Sequence, residues 1–224
     1  MGNIKAGNKN LIEISLMLVV ICFILVQAFL NGDSYIAIIS AICGITYTYI
    51  AGKGNPICYL FGVTGSFFYC WLSFQNHLWG NLILYAAYYL PMQIVGFFRW
   101  NKNLKSGEKT IVKIKLSKLE LSRIVSILFI ITFFVYVTLV LSHDTHPILD
   151  SLTTVFSLGG MYLTVRRAIE QWLFWMGVNL LSLSMWFIVA LSGAKVYSTI
   201  IMWLVYLILA IYFYIEWKKE LIEK

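Results

Sequence analysis

Between Leu11 and Trp217 the chain is almost one unbroken succession of apolar runs, each about 20 residues long and separated by short polar stops. A helix of that length crosses roughly 30 Å of hydrocarbon, and a chain with so many such runs cannot hide them from water. Apolar residues supply 60% of the 224 positions and charged residues only 12%, about half the charged share of a soluble domain. The solvent is therefore lipid, where a helix satisfies its own backbone, and the predicted fold class is all-α integral membrane.

Stops at Asn31-Gly32-Asp33, Gly52 to Pro56, Gln75-Asn76-His77, Arg99 to Arg123, His143 to Pro147, Arg166-Arg167 and Ser192-Gly193 divide the runs into eight spans. Their bounds are roughly 11–30, 34–51, 57–75, 78–99, 122–142, 147–165, 170–191 and 196–217. The first run follows Lys5 and Lys9 as a signal sequence would. It lacks a small-x-small cleavage site before Asn31 and leads straight into another span, so it reads as an uncleaved helix.

Charge tests this parse, because adding or losing one span would invert every later loop. With the N-terminus cytoplasmic, every Lys and Arg except Lys195 falls on the cytoplasmic side, from Lys5 and Lys9 through Lys53, the Arg99 to Arg123 segment and Arg166-Arg167 to the tail of Lys218, Lys219 and Lys224. The opposite loops hold Asp33, His77 and His143 to His146. Both termini are thus predicted inside. The formal charge of +7 sits mainly in these flanking segments, where it orients spans, so nucleic acid is not predicted as a partner. Lys113, Lys115 and Lys118, alternating with Ile114, Leu116 and Leu119, give the Asn101 to Ser122 segment the pattern of a strip lying on a lipid surface. Cys22, Cys43, Cys58 and Cys70 lie inside apolar runs without paired spacing, which excludes a disulfide framework or zinc site of ordinary pattern.

Sliding the chain on itself by about 117 residues, without a gap, lays Asp33-Ser34 on Asp150-Ser151, Ser40 on Ser157, Tyr89-Leu90 on Tyr206-Leu207 and Trp100 on Trp217. Spans two to four and six to eight both start outside and end inside. The arrangement predicted is two parallel triplets joined by one helix, a known repeat scheme of transporters. The corresponding units are roughly 1–30, an extra N-terminal helix; 33–100, the first triplet; 101–142, a basic loop and linker helix; and 147–217, the second triplet.

Three spans carry polar and aromatic residues at helical spacing. The seventh aligns Trp172, Trp175, Asn179, Ser182 and Trp186; the third aligns Tyr59, Gly62, Ser66, Tyr69 and Ser73; the fourth aligns Tyr85, Tyr89, Gln93, Gly96 and Trp100. An amide facing hydrocarbon without a partner costs several kcal/mol, so Gln93 and Asn179 must face protein, water or a ligand, or glue helices together. Aromatic faces attract delocalised cations and stack on flat rings. Together the stripes predict a site for a planar, hydroxylated or cationic solute. Pro91, two residues before Gln93, removes a backbone donor near mid-span, and is the candidate hinge or gate.

No Asp, Glu, Lys or Arg lies deep in a predicted span, whereas proton relays place ionisable groups there, so passive movement is favoured over ion coupling. His143-x-x-His146 has metal-ligand residue types but sits in a short loop, and Gly65-Ser66 has no histidine in its span to activate a serine. No metal, cofactor or catalytic residue is predicted.

Arg166-Arg167-Ala168-Ile169-Glu170-Gln171-Trp172-Leu173-Phe174-Trp175 followed by Asn179, with Tyr88-Tyr89, Gln93-Ile94, Gly96 and Trp100 in the first triplet, resembles the signature of the PnuC family of vitamin transporters. The resemblance runs from about Asp33 to Trp217. It implies a fold like that of SWEET sugar transporters, triplet, linker helix and triplet, in trimers. It also implies facilitated diffusion of nicotinamide riboside across the bacterial cytoplasmic membrane, with phosphorylation inside retaining the product. Gln93, Trp172, Trp175 and Asn179 become candidate substrate contacts, joined on the stripes by Tyr89, Trp186, Tyr69 and Ser66. Relatives that move thiamine or other vitamins leave the ligand open, and a membrane receptor for such a ligand is the alternative class.

Overall fold

A computed structural model of the chain describes residues 2–31, 34–75, 79–143, 146–191 and 197–222. Asp33, His77, Asp144, Lys195 and Lys224, on which part of the predicted topology rests, lie outside the described residues. The elements are α1 (Gly2–Asn31), α2 (Tyr35–Gly52), α3 (Cys58–Gln75), a rod made of α4 (Trp79–Leu84), a π-helical turn (Tyr85–Tyr89) and α5 (Leu90–Asn101), then α6 (Lys118–Leu141), α7 (Pro147–Val165), α8 (Gln171–Leu191) and α9 (Tyr197–Ile222). These are eight rods, as the polar stops predict. Among the described residues seven are long and apolar enough to span a membrane by length and composition. α3 is the exception, because the glycines, serines and tyrosines of its inward stripe dilute its hydropathy. It is as long as α2 and packs along it.

Contacts run α2 to α3, α3 to α5, α5 to α7, α7 to α8, α8 to α9 and α9 back to α2, a closed ring of six rods. α1 packs outside on α2, and α6 outside on α7. Lipid tails supply no hydrophobic drive between helices, so close backbone approach and interhelical hydrogen bonds must hold such a ring. Gly65 accordingly meets Cys43 and Ser40 of α2, and the Ser40 hydroxyl donates to the Gly65 carbonyl at 3.1 Å. α6 has no fully buried residue and is half-buried only along one stripe.

The corners after α2 and α7 share one geometry. Gly54 has φ 73° and Arg167 φ 64°. Gly54 N–H donates to Ala51 O and Asn55 N–H to Ile50 O; Arg167 N–H donates to Thr164 O and Ala168 N–H to Leu163 O. A left-handed residue capping the last carbonyls is a common way to end a helix; glycine adopts it freely, an arginine at a cost of about 1–2 kcal/mol. Arg167 is held there from both ends, its carbonyl accepting from Ile114 N–H at 3.0 Å and its guanidinium donating to Val112 O at 2.6 Å. The matching corners correct the gap-free repeat. Gly54 pairs with Arg167, Tyr59 with Trp172 and Ser66 with Asn179 at a spacing about four residues, one helical turn, shorter than the one that pairs Trp100 with Trp217. The extra turn enters the second set only, between its second and third helices.

The basic segment is not a strip on a lipid surface. Leu104 and Ile111 pair as a short hairpin, Ile111 N–H donates to Gly54 O, and Ile114 bridges to Ala168 in parallel. Ile111 and Leu116 are buried, and so is Lys113, which pairs with Glu220 of α9 and lies 4.8 Å over the Trp217 ring. Burial pushes the Lys113 ammonium below its ordinary value while Glu220 opposes the shift. Alternation of charge with apolar residues is equally the pattern of a strand whose apolar side is covered by protein, and here a strap crosses both corners. The end of the bundle that carries it is called the strap end below.

Candidate functional site

The inward faces follow the predicted stripes. On α3, Tyr59, Gly62, Ser66 and Ser73 are buried while Leu60, Phe67, Trp71 and Phe74 are exposed; on α8, Trp172, Asn179 and Ser182 are buried while Leu173, Leu180 and Phe187 are exposed. Tyr89, Gln93, Gly96 and Trp100 are buried on the fourth rod. Helical period thus decides which residues of each rod turn away from lipid.

Gln93 Nε2 donates to Ser66 Oγ at 2.8 Å, while Gln93 Oε1 is buried without a hydrogen-bond partner. A Cβ on Gly62 would collide with this carboxamide, so α3 makes room for it with a missing side chain. An unpaired buried carbonyl costs about 1–3 kcal/mol, and a ligand donor would recover that. Tyr69 stacks on Tyr85 with ring centres 4.3 Å apart, Tyr85 on Tyr89 at 4.8 Å, and Ser157 of α7 lies beside the Tyr89 hydroxyl. Tyr206 of α9 faces Tyr85, and its hydroxyl would lie 3.0 Å from a Cβ on Gly44. Tyrosines from three rods, α3, the fourth rod and α9, therefore fill the ring at this level.

On α8, Trp175 Nε1 donates to Thr164 Oγ1 at 3.1 Å and its ring lies against Gly160. Trp100 Nε1 donates to Thr164 O at 2.9 Å, so Thr164 joins the fourth-rod stripe to the α8 stripe. Trp172 is not placed beside the amides. It packs into the strap-end core against Phe213 (5.5 Å) and Trp217 (5.7 Å), with Nε1 buried and unpaired. Asn179 is buried one turn beyond Trp175 and makes no hydrogen bond among the described residues, and Trp186, two turns further, is half-buried. The structure thus brings Gln93, Ser66, Tyr69 and Tyr89 together, links Trp175 to them through Thr164, and leaves Asn179 and Trp186 on the same face of α8 without a direct bond to the rest.

Pro91 is exposed near the start of α5, and the irregularity its missing N–H creates is taken up one turn earlier. There the π turn lets Leu90 N–H reach Tyr85 O. Single π turns inside helices recur at functional sites, and this one carries Tyr85 and Tyr89 inward. Tyr47, Thr164 and Tyr206 belong to the same neighbourhood as the predicted stripes but lie outside them. The Tyr206 signal was present in its repeat match to Tyr89; Thr164 had none beyond its place one turn before the basic corner.

The sequence model of the family described as Nicotinamide mononucleotide transporter matches residues 34–219. The chain belongs to this family. Relatives include proteins called nicotinamide riboside transporter PnuC, from Neisseria mucosa at 32% identity over 195 residues (84% of this chain, 74% of that one) and from Haemophilus influenzae at 31% over 192 residues (84% and 80%). A crystal structure of the vitamin B3 transporter PnuC matches with a TM-score of 0.79 at 29% identity, covering 93% of this chain and 91% of that one. The matched segment of the nicotinamide mononucleotide transporter family begins at α2, so α1 lies outside it.

Proposed function

We propose that this chain carries nicotinamide riboside across a bacterial cytoplasmic membrane by facilitated diffusion, with the strap end and both termini on the cytoplasmic side and phosphorylation there retaining the product. The observation that carries the reading is the chemistry of the ring. Away from the strap end, the buried polar side chains among the described residues, Ser66, Ser73, Gln93, Ser151, Ser157, Asn179 and Ser182, are all uncharged. A pyridinium finds aromatic faces there, a carboxamide finds Gln93 or Asn179, and ribose hydroxyls find serines and tyrosines. The names of the relatives point the same way.

The family description speaks of a mononucleotide, and the relatives of a riboside. A phosphate in low dielectric requires fixed positive charge. At the strap end Lys53 is engaged by Glu13, Lys113 by Glu220 and Arg166 by Glu120. The nucleoside is favoured, and passage without an ion gradient follows from the uncharged ring. The six-rod ring supports the SWEET-like reading of two triplets with α6 as linker; the proposed assembly is a trimer, and the proposed class is a carrier rather than an enzyme.

Uptake into sealed liposomes tests this. Labelled nicotinamide riboside is expected to equilibrate without any gradient, thiamine and nicotinamide mononucleotide to enter at least about tenfold more slowly. Faster entry of the mononucleotide, or accumulation that requires a proton or sodium gradient, overturns it.

A further inference from the structure

The six-rod ring has two seams between its halves, α5 against α7 and α9 against α2. The first is closed at two levels, by Trp100 Nε1 to Thr164 O at 2.9 Å and by the Tyr88 hydroxyl to Leu158 O at 2.7 Å. The second is tight at the strap end, where Trp217 Nε1 donates to Gly52 O at 2.7 Å and a Cβ on Gly52 would collide with Phe213. Further along, α2 and α9 part around an apolar groove of about 240 Å³, with Ala41 and Ile45 on one side, Met202 and Val205 on the other, and Phe23 and Ile24 of α1 across its mouth. α1 therefore lies along this seam as a third member. α6 does not repeat the arrangement, for it packs on α7, where its Leu128 meets Gly159, and so lies against one half of the ring.

Where α1 crosses the strap end it places one carboxylate between the halves. Glu13 pairs with Lys53 of the α2 corner and accepts from the Tyr49 hydroxyl of α2 at 3.2 Å. It also accepts from the Tyr212 hydroxyl of α9. Lys53 and Tyr212 both line a polar recess of about 200 Å³ beside the Trp217 to Gly52 contact, together with Lys113, Glu216 and Glu220. A carboxylate accepting several charge-assisted bonds is a strong local tie, and one shared between two moving bodies is a latch.

We propose that Glu13 latches the α2/α9 seam, its bond to Tyr212 having to break before the strap end opens to release substrate. The second half of that statement rests on the carrier reading; the latch itself does not. The α2 side is held twice, by Lys53 and Tyr49, and the α9 side through the Tyr212 hydroxyl. Losing Tyr49's hydroxyl should leave Glu13 anchored, whereas losing Tyr212's should free the seam.

Cys58 is a native reporter, since it is fully buried in the same strap-end core as Phe213 and Trp217. In a background with Cys22, Cys43 and Cys70 replaced by alanine, the protein in nanodiscs is treated with a membrane-impermeant maleimide and Cys58 labelling is followed by mass. Glu13→Gln and Tyr212→Phe are expected to speed labelling at least about tenfold, and Tyr49→Phe less than about threefold, as fits the loss of one hydrogen bond to a charged group. Unchanged rates in both Glu13→Gln and Tyr212→Phe overturn the latch, and so does equal acceleration in all three variants, which is general loosening. Liposome uptake by the same variants separates the two claims: uptake without the labelling pattern refutes the latch alone, and the labelling pattern without uptake refutes the carrier reading alone.

Discussion

The two halves of the ring solve one packing problem with opposite side chains. In the first, the second helix is small where it faces the third, with Gly62 and Ser66, and the third supplies the long Gln93. In the second half the corresponding positions are Trp175 and Asn179 on α8 and Ala210 on α9. Bulk has moved to the second helix, where the Trp175 ring lies against Gly160 of α7. The aromatic clamps at the strap end differ likewise. Tyr59 meets Trp100 edge-on at 5.1 Å over Gly96, while Trp172 meets Trp217 edge-on at 5.7 Å with Phe213 where Gly96 would be. A shared backbone thus carries a chemically lopsided interior, with one amide contributed by a third helix and one by a second. Such an interior suits a ligand whose two ends differ.

The largest break in the comparison is Gly62→Val. Its side chain would occupy the place of the Gln93 carboxamide and press on Tyr47, forcing Gln93 off Ser66. Overpacking of this kind costs about 1–3 kcal/mol, and with the Gln93 carbonyl displaced ligand affinity should fall about 100-fold by calorimetric titration. Adding Gln93→Ala imitates the large-second, small-third pairing of the other half. The double variant should recover thermal stability but not binding. Recovery of neither would show that the two halves are not interchangeable in packing.

Next come the amides themselves. Gln93→Leu and Asn179→Leu each leave a ligand polar group unpaired at about 1–3 kcal/mol, roughly 5- to 150-fold in affinity, and leucine is at home between packed helices, so both variants should elute as the parent does. Equal binding by parent and both variants would make the amides helix glue.

Much of this is legible in the sequence. The eight rods and the buried stripes follow from length and period, because lipid leaves the backbone one solution and the 3.6-residue repeat decides which residues face inward. The strap was misread because alternation of Lys113 and Lys115 with Ile114 and Leu116 looks the same whether lipid or protein covers the apolar side. The register of the repeat was misread because Trp100 and Trp217 match by identity, while the corners match by backbone conformation in residues as unlike as Gly54 and Arg167. The bonds of Glu13 join positions 36 and 199 residues apart, which no local pattern encodes.

A smaller effect separates the two seams. Trp100→Phe removes the indole donor from Thr164 O, which keeps its bond from Arg167 N–H, and Trp217→Phe removes it from Gly52 O. Each should lower stability by about 1–2 kcal/mol, a few degrees in Tm at this chain length. Equal losses would make the clamps equivalent despite their different neighbours. A loss confined to Trp100→Phe would mean that the α2/α9 seam is held chiefly by other contacts.

The smallest effect tests whether Trp175 belongs to the site through its ring or through its N–H. The ring lies against Gly160, where a Cβ would stand only 3.0 Å away, and the N–H reaches Thr164 Oγ1. Trp175→Phe keeps an aromatic face but removes the donor and part of the area. The Thr164 hydroxyl itself donates to Gly160 O at 2.8 Å, so losing the indole leaves it partnered and the cost modest, about 0.5–1 kcal/mol. Affinity should fall about two- to fivefold. Thr164→Val removes the same bond from the other end while leaving Trp100's acceptor, a backbone carbonyl, in place. If the bond matters because it orients the ring, the double variant should bind no worse than the poorer single one, a coupling of about 0.5–1 kcal/mol in a double-mutant cycle. Strictly additive losses would show that ring and hydroxyl act separately. Trp175 would then be a stacking face supported by Gly160 rather than a group aimed by α7.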